Sequence, residues 1–168
     1  MDKENKLVPG LPSGFEDRWS NKLLLNKKLG KAIEKNFIKF GAEALETPSF
    51  EISENIGSFL AEDDTNPMSD VFSFEDGEKN ITLRYDLSSP LARFVAQNNQ
   101  ELPSIFKRYQ IQNVFRNEKA GNGRYREFMQ ADFDIVGNVD PAQANAELCN
   151  VISSTLSDCG LNKDQFTI

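Results

Sequence analysis

The sequence predicts an α+β domain in which helices flank an antiparallel sheet. Strand-like stretches follow one another in pairs, and Gly-containing turns separate the two members of a pair, as in antiparallel hairpins. Other stretches repeat apolar residues every three or four positions, which is typical of amphipathic helices. A long helix, strands, a helix, more strands and a further helix follow in that order, which favours helices against one face of the sheet and polar residues on the other.

The first half of the chain begins with residues 1–18, a lead-in segment rich in Pro, Gly and charge with little regular structure. Residues 19–168 are interpreted as one folded unit. A long amphipathic helix is predicted over 19–40, ending at Gly41. The stretch AEALETPSFE after it predicts a strand that ends at an edge near Pro48.

The middle of the chain is predicted to contain a helix or loop over 52–60 and an acidic loop over 61–70. Strands over 71–74 and 81–84 form a hairpin around Asp76-Gly77. Ser89 is the expected N-cap of a helix that has Pro90 in its first turn and runs to about Gln97.

The second half is predicted to contain a strand over 106–111, a bulge at 112–113, a strand over 114–118 and a loop over 119–124. A strand over 125–137 completes that hairpin. Asp140, Pro141 and Gln143 match a capping box with proline in the first turn, and the helix that they open ends at Gly160. Residues 166–168 look like the start of another strand.

Alternation within the last predicted strand of the hairpin separates two kinds of side chain. Tyr125, Glu127, Met129, Ala131, Phe133 and Ile135 share one side, and Arg126, Phe128, Gln130, Asp132 and Asp134 share the other. Antiparallel pairing is expected to set Arg116 and Glu118 beside Arg126 and Gln130 on this polar face.

Composition excludes several kinds of function. The 168 residues include no His, which removes Ser-His-Asp triads, Cys-His pairs and HExxH metal sites. The net charge of −7 disfavours general adhesion to nucleic acid. Two cysteines ten residues apart are too few for a zinc site and indicate a reducing cytoplasm. No apolar run approaches a membrane span, so we expect a soluble, intracellular protein.

Three arginines near the hairpin, Arg116, Arg124 and Arg126, could bind a polyphosphate, because guanidinium groups match phosphate oxygens. The simpler interpretation is that they form surface ion pairs with Glu118, Glu127 and Asp134, worth about 0–1 kcal/mol each.

Other polar-face residues are also ambiguous. The Phe128 ring needs either a flat ligand or an overhanging loop as its partner. Gln130 and Asp134 could grip an ammonium group. Asp86 follows a strand and precedes a helix, so it could cap that helix or add a carboxylate to the same cleft.

Four segments in the same order resemble histidyl-tRNA synthetases, which are class II aminoacyl-tRNA synthetases. FRNE with GRYREFMQADFDIVG resembles their motif 2, and GAEALETPSFE after the long helix resembles motif 1. LPSGFEDR and ITLRYDLSSPLARFVA resemble two further segments of that family. The resemblance covers about residues 11–168 and implies an incomplete class II catalytic core.

The resemblance implies a division of the polar face. Arg116 matches the catalytic arginine that holds the ATP α-phosphate, Glu118 matches the acid near the adenine amino group, and Phe128 matches the ring that stacks on adenine. Arg124 matches a loop arginine near the γ-phosphate. Four positions match those that bind the substrate histidine: Asp86, Ser88, Gln130 and Asp134.

The resemblance also implies an activity and partners. The histidine carboxylate would attack ATP to give histidyl-adenylate, and tRNA(His) would accept the histidyl group, with Mg2+ as cofactor and no protein metal site. The long helix and the Pro48 strand would form a homodimer interface.

Two differences from the family pattern limit these expectations. The loop after Glu118 reads KAGNGR in place of the common RPQKGR type. A segment of the RGLDYY type, the motif 3 arginine and an anticodon-binding domain are not among the 168 residues, so we expect this chain alone neither to form adenylate at a useful rate nor to charge tRNA. Two alternatives are a histidine-sensing regulatory subunit of ATP phosphoribosyltransferase and a module that only dimerises.

Overall fold

The structure, a computed structural model, describes residues 8–57 and 71–168. Its helices are α1 (Ser20–Lys39), α2 (Ser53–Gly57), α3 (Ser88–Asn98) and α4 (Pro141–Asp158). Its strands are β1 (Glu43–Ala44), β2 (Phe50–Ile52), β3 (Ser73–Asp76), β4 (Lys79–Leu83), β5 (Ile105–Phe115) and β6 (Glu127–Gly137). This mixture of helices and mainly antiparallel sheets confirms the predicted fold class. The predicted acidic loop over 61–70 lies outside the described residues.

The strands form two three-stranded sheets. The first sheet has the order β1-β5-β6, and the second has the order β2-β4-β3. The hairpins β5–β6 and β3–β4 are antiparallel, as predicted. One pairing differs, because β1 runs parallel to β5, with Glu43 opposite Arg108. This contact is two residues long, and the chain then passes Pro48 and joins the second sheet as β2.

The β5 strand is continuous, so the predicted bulge at 112–113 is wrong. Residues pair one to one from Ile105 with Gly137 to Phe115 with Glu127. Both polar side chains find partners without a bulge: Gln112 Oε1 accepts a bond from Arg84 NH1 at 2.9 Å, and Asn113 Nδ2 donates to Glu127 Oε1 at 2.7 Å. Satisfied polar groups can stay within a regular ladder.

The core of the first sheet lies between its apolar face and the helices α1 and α4. Phe37 on α1 lies 6.0 Å from the Tyr109 ring and 5.5 Å from the Phe133 ring, measured between centroids. Val151 of α4 is buried in the same cluster. In α1, apolar spacing identified the residues that pack on the sheet only in the C-terminal half, since Leu25 and Leu29 are 66% and 45% exposed.

The α3 helix lies at the other face, which differs from the expectation that all helices share one face. Its Phe94 ring is 6.2 Å from Phe106, a residue on the same side of β5 as Arg108. The prediction of Ser89 as the N-cap is wrong, because the helix begins at Ser88 and Ser89 lies inside its first turn. Asp86 Oδ1 accepts the Ser89 backbone N–H at 3.0 Å. Pro90 occupies the first turn, as predicted.

The capping box predicted for α4 is confirmed in its first residue, Asp140. Asp140 is the N-cap, and its Oδ1 accepts bonds from the backbone N–H groups of Ala142 at 2.8 Å and Gln143 at 3.1 Å. Pro141 opens the helix, which ends before Gly160. No helix within residues 8–57 and 71–168 is long and apolar enough to cross a membrane.

The segment before α1 is irregular but contacts the β5–β6 hairpin. Arg18 donates to the Glu127 carbonyl at 3.0 Å, and the Arg126 backbone N–H donates to the Gly14 carbonyl at 2.8 Å. A Cβ at Gly14, where φ is +85°, would lie 2.7 Å from Cγ of Arg126. Glycine therefore allows this segment to cross closely over the start of β6.

Candidate functional site

The polar face of the hairpin is built from both of its strands. On β6 it carries the side chains expected from the alternation, and across the ladder four β5 residues face them. The pairs are Val114 with Phe128, Gln112 with Gln130, Gln110 with Asp132, and Arg108 with Asp134. Arg116 lies beyond β5 but still beside Arg126, whose carbonyl accepts its N–H at 2.9 Å. Gln130 is opposite Gln112, so the expected neighbours Arg116 and Glu118 do not flank it.

One pocket lies where this face meets the hairpin loop. It has a volume of about 300 Å³ and is lined by Arg116, Glu118, Gly123, Arg124, Tyr125 and Phe128. All four residues that the sequence analysis assigned to ATP are in this list. A space of this size, with two guanidinium groups and an aromatic ring, suits part of a nucleotide.

Arg116 does not form the surface ion pair that the simpler interpretation required. Its guanidinium carbon lies 4.4 Å from the Tyr85 ring centroid and 5.1 Å from that of Phe128. Within the described part of the chain, no carboxylate is within ion-pair distance of it. The two rings hold the cation by cation–π attraction, so its charge is not neutralised.

Arg124, in contrast, pairs with Glu118. Its Nε donates to Glu118 Oε2 at 2.7 Å, and its NH2 is also in contact with that oxygen. The other oxygen of Glu118 accepts a bond from the Tyr85 hydroxyl at 3.3 Å. Arg126 donates to the Glu118 backbone carbonyl at 2.7 Å, so its role is to fix the loop.

Phe128 is half-buried on the polar face, and its observed partner is the Arg116 guanidinium. The ring and the cation together line the pocket.

The residues assigned to histidine fall into two groups. Gln130 and Asp134 lie on the polar face, where Gln130 Nε2 donates to Asp132 at 2.9 and 3.1 Å. Asp86 and Ser88 lie in the turn before α3, where Asp86 caps the helix and Ser88 is exposed.

Arg108 joins these two groups. Its NH2 lies 2.7 Å from Asp134 Oδ2 and donates to the Leu87 carbonyl at 3.1 Å. Leu87 stands between Asp86 and Ser88. The side chain of Arg108 is completely buried.

Burial changes the titration of this pair. Desolvation raises the pKa of the Asp134 carboxyl, Arg108 counteracts that rise, and Asp132 adds to it. Desolvation also lowers the pKa of the Arg108 guanidinium, while the nearby carboxylates of Asp134, Asp132 and Asp86 oppose that change. Both shifts have burial as their largest cause.

Sequence reasoning missed Arg108, Gln110 and Tyr85. The first two belong to an alternating Arg-x-Gln-x-Gln pattern in β5, which could have identified a polar strand face. Tyr85 gives no such signal, because its contact with Arg116 joins residues 31 apart in the chain.

Residues suited to binding a metal ion are not clustered in the described ranges. No group of three or more Asp, Glu or Cys side chains there is arranged to hold a cation.

Comparison with known proteins identifies relatives of the whole chain. The sequence model described as histidyl-tRNA synthetase matches residues 14–168. The chain is 79% identical over 168 residues to the histidine–tRNA ligase of Pelagibacter ubique (strain HTCC1062), covering all of this chain and 36% of that protein. It is 43% identical over 159 residues to the histidine–tRNA ligase of Methylocella silvestris, covering 94% of this chain and 31% of that one. The chain thus spans about a third of the length of these relatives.

Solved structures agree with the fold. Histidyl-tRNA synthetase from Nostoc sp. PCC 7120 superposes with a TM-score of 0.74 at 28% identity, covering 88% of this chain and 34% of that chain. A Bacillus halodurans protein, described as an ATP phosphoribosyltransferase regulatory subunit/histidyl-tRNA synthetase, superposes with a TM-score of 0.78 at 24% identity, covering 97% and 40%. The second likeness concerns the fold alone and does not discriminate between the two activities in its description.

Proposed function

Because the chain belongs to the histidyl-tRNA synthetase family, we propose that it is the part of a histidine–tRNA ligase that binds ATP and histidine. Arg116 is the catalytic residue and holds the α-phosphate, Arg124 contacts the γ-phosphate, Glu118 contacts the adenine amino group, and Phe128 stacks on adenine. Histidine is held by Asp86, Ser88, Gln130 and Asp134.

The observation that carries the proposal is the pocket of about 300 Å³ that Arg116, Glu118, Arg124 and Phe128 line together. The guanidinium group of Arg116 faces this pocket between two aromatic rings, and no carboxylate of the described residues pairs with it. The Arg124–Glu118 pair is no obstacle. The Arg124 side chain is 66% exposed, and an ion pair so open to solvent contributes little stability. A phosphate can therefore replace the Glu118 carboxylate as the partner of Arg124.

The chemistry of this site is positioning and charge neutralisation. The histidine carboxylate attacks the α-phosphorus in line, the bond from phosphorus to the bridging oxygen of pyrophosphate breaks, and histidyl-adenylate forms. Arg116 neutralises charge that develops on the α-phosphate oxygens. The reaction needs no protein histidine, which agrees with the composition.

Mg2+ is expected to accompany ATP, because this ion is usually bound by substrate phosphates together with one or two carboxylates. When bound, it supplies further positive charge to the phosphates. No step of the proposal depends on a protein metal site.

The partners proposed for the larger protein are tRNA(His), which accepts the histidyl group, and a second copy of the chain in a cytoplasmic homodimer. Support for the dimer comes from α1, where the apolar side chains of Leu24, Leu25 and Leu29 are 64%, 66% and 45% exposed. Apolar surface left open on a helix is typical of an interface.

A hybrid protein allows the proposal to be tested. In the hybrid, this chain replaces the 168 aligned residues of the Pelagibacter ubique ligase, a substitution that 79% identity makes conservative. The hybrid and the chain itself are each titrated isothermally with ATP and with histidine. The hybrid should bind both ligands. Arg116→Ala should abolish ATP binding and preserve histidine binding.

Other results of the titration would contradict the proposal. Histidine binding with no ATP binding would indicate a histidine-sensing regulatory subunit, and a hybrid that binds neither ligand would indicate a module that only dimerises.

A further inference from the structure

Arg108 belongs to no residue set assigned above, yet it is the most completely enclosed charge on the polar face. Its side chain has no exposed surface. Besides Asp134 and the Leu87 carbonyl, it contacts Gln110, whose Oε1 accepts from NH1 at 3.2 Å, and it lies 3.9 Å from Asp132 Oδ2. From these contacts we propose that Arg108 is a positioning residue of the amino-acid site, which fixes the Asp134 carboxylate relative to the turn that carries Asp86 and Ser88.

Stability alone does not explain such a cation. Removing a guanidinium from water costs several kcal/mol, and replacing a buried ion pair by apolar side chains of similar volume is often neutral or stabilising. Arg108 is also the fourth residue of an 11-residue strand that lies between β1 and β6, where an apolar side chain would pack well. A role in orienting other groups accounts for the charge.

The geometry provides that role. Arg108 NH2 contacts both Asp134 of β6 and the carbonyl of Leu87, so one planar group sets the distance between a strand of the first sheet and the start of α3. The guanidinium fork has fixed donor directions, which makes it a better spacer than a flexible ammonium.

Asp134 can still receive a ligand. Its side chain is 31% exposed, and a carboxylate accepts up to about four hydrogen bonds; its Oδ2 lies 2.7 Å from Arg108 NH2 as an ion pair but accepts no hydrogen bond from the described residues. Asp132 is two residues away on the same face, and its charge raises the pKa of the Asp134 carboxyl. The cation of Arg108 lowers the pKa of the Asp134 carboxyl and so opposes the rise that burial and Asp132 cause, which favours the ionised form that a cationic substrate group needs.

The inference rests on the proposed function, and the test separates the two. In the hybrid, Arg108→Leu is expected to raise the KM for histidine in ATP–pyrophosphate exchange about 10-fold or more at pH 7 and the KM for ATP less than about 3-fold. Histidine affinity requires ionised Asp134, so it falls as the pH drops through the pKa of that group. Without Arg108 the pKa of Asp134 is higher, so histidine affinity begins to fall at a higher pH. Titration of free histidine affects both proteins equally and cancels in the ratio of their histidine KM values.

Two further variants make the test specific. Arg108→Lys keeps the positive charge but loses the planar guanidinium fork. It should therefore restore the pH dependence of histidine affinity more fully than it restores the histidine KM. Arg84→Lys is the matched control: Arg84 is 3% exposed, and its guanidinium donates to Thr47, Asn113 and Gln112 rather than to a carboxylate. It should lower the melting temperature without raising the histidine KM selectively.

The inference is overturned if Arg108→Leu retains the histidine KM and pH profile of the unaltered hybrid. It is also overturned if the variant changes both KM values equally, as is expected of a residue such as Arg84 that only supports the fold. If the Leu variant does not fold, Arg108→Lys decides: a folded variant with an unchanged histidine KM overturns the inference. An unaltered hybrid without exchange activity contradicts the proposed function instead.

Discussion

At the scale of single residues, Arg116 and Phe128 depend on each other. The guanidinium carbon of Arg116 lies 5.1 Å from the Phe128 ring centroid, and the Tyr85 ring lies on another side of the cation at 4.4 Å. A cation held between rings is positioned without losing its charge to a carboxylate. The ring therefore has two uses in the proposed site, since it can orient Arg116 and offer a surface to adenine.

This pair predicts the effect of Phe128→Leu. The hybrid with this change should bind ATP about 5- to 150-fold more weakly, because stacking on a base is worth about 1–3 kcal/mol, whereas histidine affinity should change little. Isothermal titration measures both affinities. Phe74→Leu is the control, since Phe74 is 47% exposed and lies on β3 of the second sheet. Equal loss of ATP affinity in both variants would contradict the assignment.

Much of the site could be predicted at this scale, but not all. Alternation in β6 is local information, and it grouped Phe128, Gln130 and Asp134 correctly on one face. The contacts of Arg116 with Tyr85 and of Arg108 with Leu87 join segments 31 and 21 residues apart. No periodicity within one strand encodes such contacts, so the partners of the two arginines emerged only from the fold.

Gly137 shows a steric requirement at the end of β6. Its φ is +139°, and a Cβ there would collide with the Ser104 carbonyl oxygen. Gly137→Ala should therefore lower the free energy of unfolding by about 1–3 kcal/mol from backbone strain, with the collision adding to the loss.

The control for this prediction is Gly30→Ala in α1, where no described atom lies within 4 Å of the added Cβ. This change should raise the free energy of unfolding by about 0.5–1 kcal/mol, because alanine favours helix. Urea denaturation of the chain compares the two variants, and a harmless Gly137→Ala would show that the close approach to Ser104 is absent.

At the scale of secondary structure elements, α1 and α4 are joined by a buried polar contact within their apolar interface. Asn36 has no exposed surface; its Nδ2 donates to Asp158 Oδ2 at 3.0 Å, and its Oδ1 accepts from Ser154 Oγ at 2.7 Å. Apolar spacing predicted the bounds of both helices to within one or two residues and part of the buried face of each. It did not identify this contact, because Asn36 and Asp158 are 122 residues apart.

Loss of this contact should destabilise the pair of helices. Asn36→Ala removes its bonds to the exposed Asp158 carboxylate and to the half-buried Ser154 hydroxyl, and should reduce the free energy of unfolding by about 2–3 kcal/mol, whereas Ser154→Ala should cost about 1 kcal/mol. Denaturation of both single variants and of the double variant gives the coupling. Additive effects would mean that the Asn36–Ser154 bond contributes nothing to stability.

At the scale of the whole molecule, the proposed site lies where two sheets meet. Arg84, at the end of β4, donates to the carbonyls of Asn113 on β5 and Thr47 before β2, and its own carbonyl accepts the Phe115 N–H at 3.0 Å. These bonds bring the turn with Tyr85 and Asp86 over the polar face of the hairpin. The order of elements predicted the fold class, but the parallel β1–β5 pairing and this junction depend on contacts between distant segments.

The central claim is that this junction activates histidine with ATP. The most direct measurement is histidine-dependent ATP–pyrophosphate exchange by the hybrid. We expect exchange only when histidine is present, a loss of about 100-fold or more in Arg116→Ala, and exchange far below the hybrid rate from the 168-residue chain alone. A hybrid that folds and binds histidine but exchanges no pyrophosphate, or one whose exchange survives Arg116→Ala, would contradict the account.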